Sequence, residues 1–283
     1  SFYYLDKKAF LNIGFGTSVL VMLGFGYIVY LNRKKEFHTA ENQNTITNIM
    51  NIAVPILLGI VSYFTFSNEI NLYFENWFES TSIKGAIQAD GNIGNTTYNY
   101  NILSLKTIVL IGYSILFFGA LSLFNILKIK NKTLGIVAII FTLISLIAAE
   151  TSGLYVLGEL REAYIDSHLN KYYQIGFAHV LIRYLLFACI AFGVYTLFKY
   201  IRQEFMKPLN RKLNFIAEFA FYVSILCFLS NELITWLDLA GNKSVFKLGL
   251  SILWGVYALI LIYIGIFKQR KYLRISAIIL FGI

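Results

Sequence analysis

Runs of about twenty apolar residues, separated by short polar or basic stretches, recur along the whole chain. A hydrocarbon core about 30 Å thick needs a helix of about 20 residues to cross it. The pattern therefore predicts seven full membrane-spanning helices, at about 11–31, 49–69, 105–127, 134–153, 175–198, 213–233 and 245–267, and a truncated eighth at 273–283. The second run is expected to continue as a helix through Tyr73, Trp77 and Phe78, and Pro55 near its start is expected to permit a kink by freeing a carbonyl. The longest connection, at about 79–104, is rich in Gly, Asn and Thr and reads as an irregular surface loop.

Composition narrows the class. Hydrophobic residues make up 58% of the 283 and charged residues only 14%, against about 25% charged in a soluble domain. The expected fold class is an all-α integral membrane protein, a polytopic bundle forming a single transmembrane domain over 1–283. The net charge of +9 then speaks to topology rather than to nucleic acid, which is not an expected partner. Fifteen of the 24 Lys and Arg fall in the loops after the first, third, fifth and seventh runs, eight lie in the N-terminus and around the alternate loops, and Arg183 is the remaining one. Basic loops stay cytoplasmic, so the N-terminus of this chain is expected outside and the 79–104 loop with it. The abundance of Ile, Asn, Lys, Phe and Tyr is the kind an AT-rich bacterial genome encodes, and a multi-pass protein of the bacterial cytoplasmic (inner) membrane is expected. Cys189 and Cys227 both lie in apolar runs and read as small buried residues. His38, His168 and His179 are scattered, so neither a metal nor a cofactor is expected.

A tripeptide occurs twice. Ser67-Asn68-Glu69 and Ser230-Asn231-Glu232 each close an apolar run on an acid, with an aromatic four residues later (Tyr73, Trp236) and a second acid two beyond it (Glu75, Asp238). A third run ends on Glu150, about 81 residues after Glu69 and about 82 before Glu232. Matched periods point to internal duplication: a parallel two-helix repeat in which an inward helix ends in a basic cluster and an outward helix ends in an acid.

The segment around the seventh run reads Ser251-Ile252-Leu253-Trp254-Gly255-Val256-Tyr257-Ala258-Leu259, then Ile264-Gly265-Ile266, then Lys271-Tyr272-Leu273-Arg274-Ile275-Ser276. Over 251–281 it resembles the C-terminal part of an uncharacterised bacterial "predicted membrane protein" family, in which a Trp-x-x-Tyr-x-Leu helix precedes a Gly, a basic turn, a Leu-Arg pair and another apolar helix. The resemblance implies a longer chain with further spans on both sides, and brings no catalytic residues. Expected partners are the lipid bilayer and those remaining helices or other membrane subunits.

An ionisable residue inside a span is costly unless it is paired or hydrated. Arg183 leads the candidate binding residues, with Glu150 and Glu232 at similar depth on the neighbouring runs, and His179 one turn before Arg183. Arg183 could pair with either acid, grip an anionic group, or snorkel to the interface. Glu218 is expected to pair with Arg211 or another nearby basic residue. Three functions stay open. The leading one is a structural or assembly component of a bacterial envelope complex. A transporter-like handler of a lipid or envelope precursor predicts a polar cavity at Glu150, Arg183 and Glu232. A membrane transferase would use outer-face carboxylates such as Glu75, Glu79 or Asp90, with His168 as base.

Overall fold

Apolar runs this long satisfy their backbone groups most simply as helices, even with glycines such as Gly14, Gly16, Gly24 and Gly26 inside them. A computed structural model of the chain describes residues 8–33, 45–83, 96–166, 173, 175–241 and 245–282. Among these residues the chain is all-helical: α1 (Ile13–Arg33), α2 (Thr45–Ser80), α3 (Asn101–Phe124), α4 (Lys132–Ala148), α5 (Leu154–Ile165), α6 (Ala178–Ile201), α7 (Asn210–Leu239), α8 (Phe246–Phe267) and α9 (Lys271–Phe281). No strand forms among them; a single antiparallel bridge ties Ile83 to Thr97 across the base of the long loop.

Seven described helical stretches are long and apolar enough to cross a bilayer: Ile13–Leu31, Ala53–Ser80, Asn101–Ile129, Lys132–Ile165, Ala178–Ile201, Lys212–Leu239 and Phe246–Phe267. Several outrun the apolar windows that predict them. The second passes unbroken through Pro55 and ends at Ser80, eleven residues past Glu69. The fourth continues to Ile165 because Glu159, Leu160, Arg161, Glu162 and Ala163 are all strong helix formers. Hydropathy marks where a helix could leave a bilayer; propensity decides where the helix itself stops.

Two π-helical turns interrupt the ladder, at Asn125–Ile129 and at Ala149–Gly153. The first ends α3 on Lys130, whose left-handed backbone (φ 54°) lets its N–H reach back to the Asn125 carbonyl at 2.6 Å. The second joins α4 to α5 and carries Glu150.

The chain divides into two compact units, Ser1–Ser145 and Leu146–Ile283. In the first, α2 packs on both α1 and α3. Tyr63 organises that contact: its ring stacks on Tyr113 and Phe118, its hydroxyl bonds Ser114 Oγ at 2.8 Å, and its carbonyl accepts from the Tyr113 hydroxyl at 3.1 Å. Phe141 extends the stack from α4 onto Phe118 at 4.9 Å.

In the second unit α5 packs on α6, α6 on α7, α7 on α8 and α8 on α9. Its buried core runs through Tyr257, Ala258, Leu261, Leu273 and Ala277. Gly265 sets the α8–α9 approach, since a Cβ there would lie 2.8 Å from Arg274 Cγ and 3.2 Å from Leu273 Cβ.

Candidate functional site

Consecutive residues on a helix point about 100° apart, so Ser230, Asn231 and Glu232 on α7 cannot share a direction. Each meets a different neighbour. Ser230 Oγ accepts from the Trp254 indole on α8 at 3.0 Å. Asn231 is 8% exposed and lines a cleft of about 520 Å³ between α5, α7 and α8. Glu232 reaches α6 and meets Arg183.

Arg183 lies five residues into α6, or about 8 Å along it at 1.5 Å per residue, and is 2% exposed. Its Nε stands 2.8 Å from Glu232 Oε1, and its Nη2 donates to Oε2 at 3.3 Å. Nε and Oε1 meet as an ion pair without a hydrogen bond, so Nη2 alone donates across the pair. Oε2 also accepts from the Trp236 indole at 2.9 Å and from the Tyr184 hydroxyl at 3.2 Å. Arg183 Nη2 donates to that same hydroxyl at 2.8 Å. The guanidinium carbon stands 4.7 Å from the Tyr184 ring centre and 5.5 Å from that of Trp236, within cation–π range. Arg183 Nη1 is buried without a hydrogen-bond partner among the described residues. The two aromatic faces are its compensation.

A second pair lies further along α7. Arg161 Nε on α5 meets Asp238 Oδ2 at 2.8 Å, with both side chains 12% exposed. One helix thus holds two arginines, from α6 and from α5, through carboxylates six residues apart.

No family model, curated protein or solved structure matches the chain. What the cluster does must be read from its own geometry. The guanidinium meets the carboxylate through Nε and Nη2 and lies against two rings, with Nη1 left without a hydrogen-bond partner among the described residues. Such an arrangement holds helices together.

The remaining sequence candidates disperse. Glu150 accepts a short hydrogen bond from Ser224 on α7, while Arg183 pairs with Glu232. Glu150 lies in the π turn Ala149–Gly153, and its partner Ser224 sits eight residues before Glu232 on α7. His179 shares a helix face with Arg183, but its Nδ1 lies 3.0 Å from the Gly176 carbonyl in the turn that begins α6. In the first unit, Glu69 is 7% exposed and accepts from the Phe10 backbone N–H at 2.7 Å and from Asn12 Nδ2 at 3.0 and 2.9 Å. Asn12 in turn caps α1 by accepting from Phe15 N–H at 2.7 Å, satisfying a donor that a helix start leaves open. Of its repeat partners, Ser67 is half-buried and Asn68 exposed.

Glu75 pairs with Lys106 at 3.6 Å on the surface. Glu218 accepts from Asn214 at 3.1 Å, from Tyr272 through a short bond, and meets Arg270 at 3.5 Å; the Arg211 side chain, like His38, Asp90 and His168, lies outside the described residues. Sequence reasoning missed Ser224, Tyr184 and the Arg161–Asp238 pair. Asp238 carried a signal, being the second acid of the duplicated spacing, whereas nothing in the sequence distinguishes Ser224.

Proposed function

We propose that this chain is a multi-pass integral protein of a bacterial cytoplasmic membrane and serves as a structural or assembly component of the envelope. The basic loops lie on the cytoplasmic side in this reading, and the duplicated tripeptide marks parallel two-helix repeats. Membership of the many-span family that 251–281 resembles belongs to the same proposal, as does packing against further helices of such a protein.

Two observations support membrane embedding. Seven described helices have the necessary length and apolarity, and their outward faces are apolar too. On α8, Leu248, Ile252, Leu259, Tyr263 and Phe267 are exposed while Tyr257, Ala258 and Leu261 are buried. A soluble chain rarely exposes a contiguous surface of that kind, whereas lipid tails cover it without cost.

One observation carries the structural role: the buried Arg183 is neutralised by Glu232 and roofed by aromatic rings, so it is a bond between helices rather than a receptor for cargo. Removing one partner of such a pair leaves an uncompensated buried charge, while replacing both with apolar residues is often neutral. The test is complementation of a deletion strain. Arg183→Leu and Glu232→Leu should each fail to accumulate and fail to complement, and the double variant should recover both. A double variant that accumulates but does not complement would favour transport, because the charges would then act on something other than each other.

A further inference from the structure

Between α6 and α7, wholly within the second unit, runs a groove of about 400 Å³, inside the range of small-molecule sites. Phe187, Val194, Tyr195 and Phe198 on α6 and Phe221 and Phe228 on α7 line it. Phe187 meets Phe228 edge to face at 4.9 Å at one end, and Phe198 stands 6.0 Å from Phe221 at the other. Ser224 also lines the groove, and its hydroxyl donates to Glu150. From Phe187 to Phe198 is eleven residues of α6, about 16 Å at 1.5 Å per residue. One leaflet of a hydrocarbon core about 30 Å thick measures about 15 Å. The groove therefore has the length of a lipid chain within a single leaflet.

The charge at its Phe198 end says what covers it. Lys199 lies in the last turn of α6 and holds its Nζ 5.3 Å from the centre of the Tyr195 ring, one wall of the groove. No ion pair holds that ammonium among the described residues. Glu204 is taken by Lys207 at 3.1 Å, and Glu218 on α7 by Arg270 at 3.5 Å. An aromatic face attracts the ammonium but leaves its donors open to an acceptor. Arg202, exposed just past α6, adds a second cation three residues on. An apolar groove with an unpaired ammonium at one end complements an anionic amphiphile, whose head meets the charge while its hydrocarbon lies along the rings.

We propose that this groove binds one acyl chain of an acidic phospholipid, whose net negative head group pairs with Lys199. The inference rests on the membrane reading, in which Lys199 and Arg202 lie on the cytoplasmic side, where basic pockets between helices receive anionic head groups. Lys199 is sixteen residues along α6 from Arg183, about 24 Å, and the groove shares no residue with the Arg183 cluster.

The test uses the full chain in phosphatidylcholine nanodiscs. These are doped with a phosphatidylglycerol carrying a diazirine in its acyl chain or, separately, with a phosphatidylcholine carrying the same chain, and the labelled peptides are mapped by mass spectrometry. The expected result is saturable labelling of 187–198 and 221–228 by the phosphatidylglycerol probe, competed by its unlabelled form. It should be about tenfold stronger than labelling by the phosphatidylcholine probe, equivalent to about 1.4 kcal/mol. Lys199→Gln should remove most of that preference and Lys199→Arg should keep it, while Ala191→Phe, which fills the groove, should weaken labelling by both probes. Should a variant fail to fold, saturation and competition on the unmodified chain still decide. Unsaturable labelling spread evenly over the helices, equal labelling by both probes, or an undiminished preference in a folded Lys199→Gln chain would overturn the assignment. A chain released from membranes by alkaline carbonate would overturn the membrane reading as well, an outcome distinct from even labelling of an embedded chain.

Discussion

Glu69 and Glu232 close identical tripeptides, yet the first carboxylate binds the start of a helix and the second binds an arginine. Glu69 collects the Phe10 N–H and the Asn12 amide at 2.7–3.0 Å, where the open N–H groups and dipole of the α1 N-terminus favour a negative charge. Glu232 collects Arg183, Tyr184 and Trp236. Identical sequence fixes neither partner; the helix packed alongside does.

The Glu69 cap should be worth a measurable fraction of the first unit's stability. Glu69→Ala strips acceptors from a backbone donor and from the capping residue Asn12, and should cost about 1–3 kcal/mol. Glu69→Gln keeps one acceptor and should cost less. Denaturant unfolding in detergent reads both, and equal stability of Glu69→Ala and the unmodified chain would contradict the capping role.

The α8–α9 approach should not tolerate bulk. A Cβ at Gly265 meets Arg274 Cγ at 2.8 Å and the Arg274 backbone nitrogen at 3.2 Å. Gly265→Leu should therefore overpack the contact and cost about 1–3 kcal/mol, with Gly265→Ala the milder change. A melting temperature that falls in the order Gly, Ala, Leu supports the close packing; no change for Leu contradicts it.

Orientation is testable by labelling. In a Cys189→Ala/Cys227→Ala background, a cysteine replacing Lys130 should be protected from a membrane-impermeant maleimide in intact cells, and one replacing Gly241 should react. Gly241 suits the purpose because it sits beyond α7 and a Cβ there meets no atom of the described residues within 4 Å, although its left-handed φ of 78° will strain the new residue slightly. The reverse labelling pattern would invert the topology.

The helices were largely legible because an apolar run of spanning length has few alternatives to a helix. Their ends were less so: α2 and the α4–α5 stretch continue past the last apolar residue, since a polar helix former such as Glu159 or Arg161 gives hydropathy no reason to continue and the backbone no reason to stop. The site was legible in part. Arg183 stood out as a charge within an apolar run, and its two candidate partners followed from depth. Glu150 is instead bonded by Ser224, a partner that no periodicity reveals. The second pair, Arg161–Asp238, was hidden because both residues lie beyond the apolar windows, where charges are ordinary.

The indole N–H of Trp236 should support the clamp. Trp236→Phe keeps an aromatic face near Arg183 but removes the 2.9 Å bond to Glu232, which should cost about 0.5–1.5 kcal/mol. Denaturant unfolding checks this, and an unchanged midpoint would assign the residue to lipid contact instead.

Arg183 and Glu232 act on each other, and a double-mutant cycle measures that coupling directly. Arg183→Leu, Glu232→Leu and the double variant are unfolded in the same detergent, and the coupling energy is taken from the three stability changes. A direct clamp predicts single losses of about 3–5 kcal/mol, with the double variant much less destabilised than their sum. Additivity of the two losses to within about 0.5 kcal/mol would contradict it.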